Sequence, residues 1–213
     1  MYRKIYNLLL KEYGEQGWWP CNSIYSQKFK DRERSQEEIF EIIVGAILTQ
    51  NTSWTNVEKA LSSLRKNNVL NRKKLVNLSD IELTQMIKSA GYYNQKVKKI
   101  REFLKFDKKI NRENLLGIWG FGPETVDSIL LYAYNKPIFV IDSYTKRIFF
   151  RIGLCSKDIS YTELQDLFYK NLKKDYKIFN EYHALIVEHA KQHCSSKPKC
   201  AGCCLNEVCK KNF

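Results

Sequence analysis

The stretch "SQEEIFEIIVGAIL" fixes the kind of fold this chain can adopt. Ser35 and Glu38 stand in capping-box spacing, and Ile39, Ile42, Ile43, Ala46 and Ile47 then fall on one stripe of a helix. "SDIELTQMIKSAGYY" repeats the device, with Ser79 as N-cap, Glu82 three residues on and Gly91 as the stop. The same periodicity predicts further helices at about 2–13, 54–67, 94–105, 123–135, 143–152, 161–172 and 176–193. Only "KPIFVID" reads as a strand, and one short strand makes no sheet. Residues 14–34 read as a loop with aromatic anchors, because Gly14, Gly17 and Pro20 interrupt any helix. The expected class is all-α.

Charge narrows the partners. With 36 Lys and Arg against 23 Asp and Glu, the net charge is +13, which favours a polyanion, nucleic acid first. No run of 18 apolar residues occurs, and the opening "MYRKIYNLLLKEYGEQ" is amphipathic without a small-residue cleavage site, so neither membrane nor secretion is expected. A reducing compartment then follows. Five of the seven cysteines, Cys194, Cys200, Cys203, Cys204 and Cys209, crowd into the tail and point to metal ligation rather than disulfides. The C-x5-C-x2-C-x5-C spacing of Cys194, Cys200, Cys203 and Cys209 suits zinc or an iron–sulfur cluster equally, leaving Cys204 as a spare thiol.

"GIWGFGPETVDSILL" carries a second signal. Leu115 and Leu116 close a short helix, Gly120-Phe121-Gly122 makes a tight turn, and Pro123 opens the next helix, where its missing N–H costs nothing. Such a hairpin lets backbone approach a phosphate closely, and the helix N-terminus behind it supplies N–H donors and a positive dipole end. It can grip a nucleic-acid backbone without reading sequence, although an ordinary helix–helix connection would use the same glycines. Lys197 and Lys199, between the first two tail cysteines, offer further phosphate contacts.

Taken together, "AILTQNT" at 46–52, "GFGPETVDSILL" at 120–131, "VIDSYTKRIFFRIGL" at 140–154 and the cysteine tail resemble the endonuclease III superfamily of DNA glycosylases, over about residues 39–209. The resemblance implies two helical lobes with a DNA-binding cleft between them, a helix-hairpin-helix motif and a C-terminal iron–sulfur loop. The expected division places residues 31–137 in a lobe ending in the hairpin, and 1–30 with 138–213 in a second lobe carrying the catalytic aspartate. The implied partner is double-stranded DNA containing a damaged base, handled by a monomer in the cytoplasm or on the nucleoid. It also implies a [4Fe–4S] cluster on the four cysteines, although the family's first gap is one residue longer.

By the same resemblance Asp142 is the catalytic carboxylate, able to stabilise positive charge developing on the sugar and to orient water. An N-cap at the helix beginning with Ser143 is a second, compatible role. Gln50 occupies the place from which family members fill the gap left by a flipped base. Where lyase-proficient branches carry a Schiff-base lysine, this chain has Glu124, and a carboxylate forms no imine. The implied reaction is base-excision-repair glycosylase chemistry that stops at the abasic site. An inward, ionised Glu124 favours a cationic alkylated purine such as 3-methyladenine, with uracil close behind. The competing readings are a bifunctional glycosylase/lyase and a non-catalytic helix-hairpin-helix DNA-binding module. Trp18, Trp19, Trp54 and Trp119 are candidates for stacking on a flipped base.

Overall fold

The computed structural model describes the backbone of residues 1–213 and every side chain except those of residues 29 and 30. It is all-α, and among the described residues the sole β pairing is an isolated bridge between Cys21 and Ile24. The chain divides into two compact units, one of residues 19–25 and 32–135, the other of 1–18, 26–31 and 136–213.

The first unit contains α2 (Gln36–Thr49), α3 (Trp54–Lys66), α4 (Arg72–Leu75), α5 (Asp80–Ile87), α6 (Tyr93–Lys105), α7 (Arg112–Leu116) and α8 (Pro123–Tyr134). Both capping boxes form as the sequence predicts, at Ser35 with Glu38 and at Ser79 with Glu82. The four-residue α4, capped by Asn71, escapes sequence reading because one turn is too short for any periodicity. Helix α2 is its spine, buried without interruption from Phe40 to Leu48 and packed against α3, α6 and α8. Gly45 admits Trp19 there: a Cβ at Gly45 would lie 3.0 Å from the Trp19 ring. Trp19 continues edge-on to Trp54 and tilts onto Tyr132, so it is an anchor of this core. Helices α7 and α8 are tied by Arg112, which grips the fully buried Asp127 with both carboxylate oxygens at 2.7 and 3.2 Å.

The second unit joins α1 (Tyr2–Tyr13) to α9 (Ser143–Ile152), α10 (Tyr161–Asn171) and α11 (Tyr176–Gln192), with α11 packed on both α1 and α9. Its centre is aromatic. Phe139 stacks on Phe168 with centroids 3.7 Å apart and meets Phe179 and Tyr182 edge-on.

Phe139 belongs to the segment expected as a strand, and here the structure corrects the sequence. Residues 138–141 form neither helix nor strand, Phe139 to Ile141 are buried, and among the described residues no strand pairs with them. Buried backbone must still be hydrogen-bonded. Side chains of α10 do it: the Phe139 N–H donates to Tyr169 Oη at 3.3 Å, the Ile141 N–H to Tyr161 Oη at 3.4 Å, and Gln165 Nε2 donates to the Phe139 carbonyl at 2.6 Å. Replacing Gln165 with Leu keeps the bulk and strands that carbonyl. The expected loss is about 1–3 kcal/mol of unfolding free energy, read from urea denaturation; an unchanged midpoint would show that water or backbone shifts replace the bond.

Candidate active site

The hairpin is built by a left-handed residue and an open helix end. Gly120 sits at φ +81°, where a Cβ would also fall 2.5 Å from Lys99 Cε, so only glycine fits. The Phe121 side chain is buried and its N–H bonds the Ile118 carbonyl, so the face it leaves outward is backbone. Gly122 is the N-cap of α8, with open space where a Cβ would stand and Pro123 at the first position. The N–H groups of the first turn of α8 have no intrahelical acceptor and carry the positive end of its dipole. Glu124 is exposed in that turn.

Gln50 ends α2 beside the hairpin. Its Nε2 donates to Thr125 Oγ1 at 2.8 Å and to the Gly120 carbonyl at 3.3 Å, and the Lys99 ammonium donates to its Oε1. Burial lowers the Lys99 pKa. Trp119, next to the turn, is 47% exposed, with Lys98 Nζ 3.9 Å from its ring centroid, while Trp19 is core.

In the other unit Asp142 follows the buried segment 139–141 and caps α9. One oxygen, Oδ1, accepts from the Thr145 N–H and Oγ1–H, both at 2.7 Å. The other, Oδ2, lies 3.7 Å from Nε2 of buried His183. Burial lowers the His183 pKa below its ordinary 6.5, and the Asp142 charge opposes the shift without cancelling it. The imidazole is therefore neutral at pH 7.

The tail cysteines do meet. Cys194, Cys200, Cys203 and Cys209 line one pocket with Arg151 and His189. Among the described residues no three His, Cys, Asp or Glu side chains converge closely enough to hold a single metal ion. The surroundings suit a set of thiolates. Buried Arg151 donates to Cys194 Sγ at 3.3 Å and to the Ser195 and Ser196 carbonyls at 2.6 and 3.1 Å, while Arg147 holds the Cys194 carbonyl. His189 Nε2 lies 3.7 Å from Cys203 Sγ. Burial first, then neighbouring cysteines, push the thiols of Cys203 and Cys209 up, so a bound cation must displace their protons. Lys197 and Lys199 are exposed on the loop.

Sequence reading missed Lys99, His183 and Arg151, since nothing local marks a helical Lys, His or Arg as facing a site from another element. Only their helical register relative to buried neighbours hinted at it.

Residues 44–174 match the family described as HhH-GPD superfamily base excision DNA repair protein. This chain belongs to that superfamily. A candidate DNA repair glycosylase of Methanocaldococcus jannaschii is 42% identical, covering 98% of this chain and 96% of that relative. Endonuclease III of Sulfolobus acidocaldarius is 26% identical over 81% of the chain and 82% of its own length. Among solved structures, the H. pylori 3-methyladenine DNA glycosylase bound to 1,N6-ethenoadenine superposes with a TM-score of 0.70 at 24% identity, over 90% of this chain and 97% of that one. A non-covalent endonuclease III–DNA complex gives 0.78 at 20%, over 98% and 94%. Both share the fold. As a member of the HhH-GPD superfamily the chain is a base excision DNA repair protein, and among its described residues no helix is long and apolar enough to cross a membrane.

A pH dependence follows from His183. Because its native pKa is depressed, the unfolded state binds more protons than the native state once the pH falls below about 6.5, so stability is complete above that value and lost beneath it. His189, held at about 4 by burial and by His193, acts in the same sense. The urea midpoint should be flat down to about pH 7 and fall as the pH drops below about 6.5, with His183→Gln reducing the slope. An identical slope in the variant would show that His183 is not buried neutral.

Proposed function

We propose that this protein is a monofunctional DNA glycosylase that hydrolyses the N-glycosidic bond of a flipped, damaged base and leaves the abasic site intact. It is a DNA N-glycosylase of base excision repair. The observation that carries the reading is the divided carboxylate of Asp142. Oδ1 is committed to Thr145, which fixes the group, while Oδ2 is turned away from the cap toward a neutral imidazole. As the bond from C1′ to the base breaks, the base leaves with the electron pair and positive charge grows on the sugar. The Asp142 carboxylate stabilises that charge and orients the water whose oxygen bonds to C1′. A neutral His183 leaves the carboxylate's charge undiminished.

The hairpin of Gly120, Phe121 and Gly122, with Lys197 and Lys199, holds phosphate, and Gln50 fills the gap in the duplex. Glu124 stands where an imine-forming lysine would be needed for strand cleavage, and its charge favours a cationic alkylated purine over uracil. The relatedness to a 3-methyladenine glycosylase fold is compatible with this choice but does not carry it. Cys194, Cys200, Cys203 and Cys209 hold a [4Fe–4S] cluster. Their common pocket supports this, since a cluster brings its own iron and sulfide to fill the space between thiolates, and Arg151 offsets their charge. A cluster held by these cysteines would brace the loop that carries Lys197 and Lys199.

Two measurements test the reading. Asp142→Asn keeps a good N-cap, so it should fold and bind duplex normally while single-turnover excision falls by orders of magnitude. Undiminished excision would remove Asp142 from the chemistry. The panel should include 3-methyladenine, 7-methylguanine, uracil, 8-oxoguanine and thymine glycol, with Glu124→Gln alongside. Release of uracil alone would reverse the assigned preference, and a borohydride-trapped covalent complex would establish lyase chemistry. Protein purified without oxygen should be brown with about four irons per chain; stoichiometric zinc without iron would refute the cluster.

A further inference from the structure

Three elements converge on the side chain of Gln50. Both hydrogens of its Nε2 are engaged, by Thr125 Oγ1 in α8 and by the Gly120 carbonyl in the hairpin, and its Oε1 receives the Lys99 ammonium from α6. An ammonium donates only, so Lys99 decides which end of the amide is oxygen. With that end fixed, the two N–H groups have no other way to point than at Gly120 and Thr125. The Lys99 stem does a second thing. It passes under the turn so closely that a Cβ at Gly120 would lie 2.5 Å from its Cε and 2.9 Å from its Cγ. One lysine thus touches both the hairpin and Gln50, whereas its neighbour Lys98 is exposed and covers Trp119.

We propose that Lys99 is a positioning residue for base flipping: it presets the orientation of the Gln50 amide against the hairpin, so that hairpin and gap-filling side chain engage DNA as one rigid piece. The inference rests on the reading of Gln50 as the residue that fills the gap. Preorganisation matters because an unheld glutamine would lose rotamer freedom on insertion. The competing role for Lys99 is a phosphate contact. Its ammonium is half-buried and directed at an amide oxygen, which argues against it.

The test compares a duplex bearing a tetrahydrofuran abasic-site analogue with an intact duplex of the same sequence, using wild type, Lys99→Met, Gln50→Ala and the double variant. Methionine keeps the stem against Gly120 and removes the donor. Lys99→Met should weaken binding to the abasic duplex about tenfold, as expected for a charged hydrogen bond, with the intact duplex and the salt slope unchanged. No further loss should appear in the Gln50→Ala background. Lys99→Gln, which retains a donor, should recover part of the affinity, and Lys99→Leu, which also removes the donor, serves in place of Lys99→Met if that variant fails to fold. Equal loss on both duplexes with a salt slope shallower by about one would make Lys99 a phosphate ligand and overturn the proposal. So would additive losses in the double variant. If Gln50→Ala binds the abasic duplex as wild type does, the gap-filling reading falls and the proposal falls with it; if Gln50→Ala is weakened and Lys99→Met is not, the positioning role alone falls.

Discussion

The unit that carries Asp142 depends on making a buried stretch of backbone without helix or strand partners tolerable. Amide groups from Phe139 to Ile141 are in the core with no neighbouring strand, where an unbonded N–H or C=O is costly. Tyr169 and Tyr161 accept from the Phe139 and Ile141 N–H groups and Gln165 donates to the Phe139 carbonyl, and because those residues come at spacings of four along α10, the segment lies along that helix. Phe139 then reaches Phe168, Phe179 and Tyr182, which orders the rest of the aromatic core. Asp142 is the residue at which this segment becomes α9. Its position is therefore set by packing on one side and by the cap to Thr145 on the other.

In the other unit the same economy holds with opposite means. The hairpin exposes backbone rather than side chains, and what fixes it is a lysine stem under Gly120 and the two-point grip of Arg112 on Asp127 behind it. A DNA glycosylase must hold many sequences and act on few bases. Backbone contacts suit the first need, because every duplex offers the same phosphates.

Most of the helical order was legible, because caps and periodicity are local. Ser35 with Glu38, Ser79 with Glu82 and Pro123 after Gly122 each mark a boundary within a few residues of themselves. "KPIFVID" was misread for the converse reason. Its Ile and Val residues mark a buried segment correctly, but whether such a segment has a strand partner is decided by Gln165 and two tyrosines 20 to 30 positions away. The candidate site divides likewise. Asp142, Gln50 and the cysteines stand in ordered motifs and so present themselves as candidates, whereas Lys99, His183 and Arg151 reach them across the fold and leave no pattern in the chain.

The second unit is assembled from stretches on either side of the first. Tyr182 donates to the Tyr2 carbonyl across 180 positions, and Tyr13 meets His189 across 176. During synthesis, the hairpin unit has nearly all of its sequence once residue 135 has left the ribosome, while α1 must wait, its apolar face uncovered, until α11 arrives. The four thiols follow later still. A newly made chain thus has the complete sequence of the hairpin unit before Asp142 has the helices that hold it in place, and a product truncated near residue 135 would keep the one unit without the other.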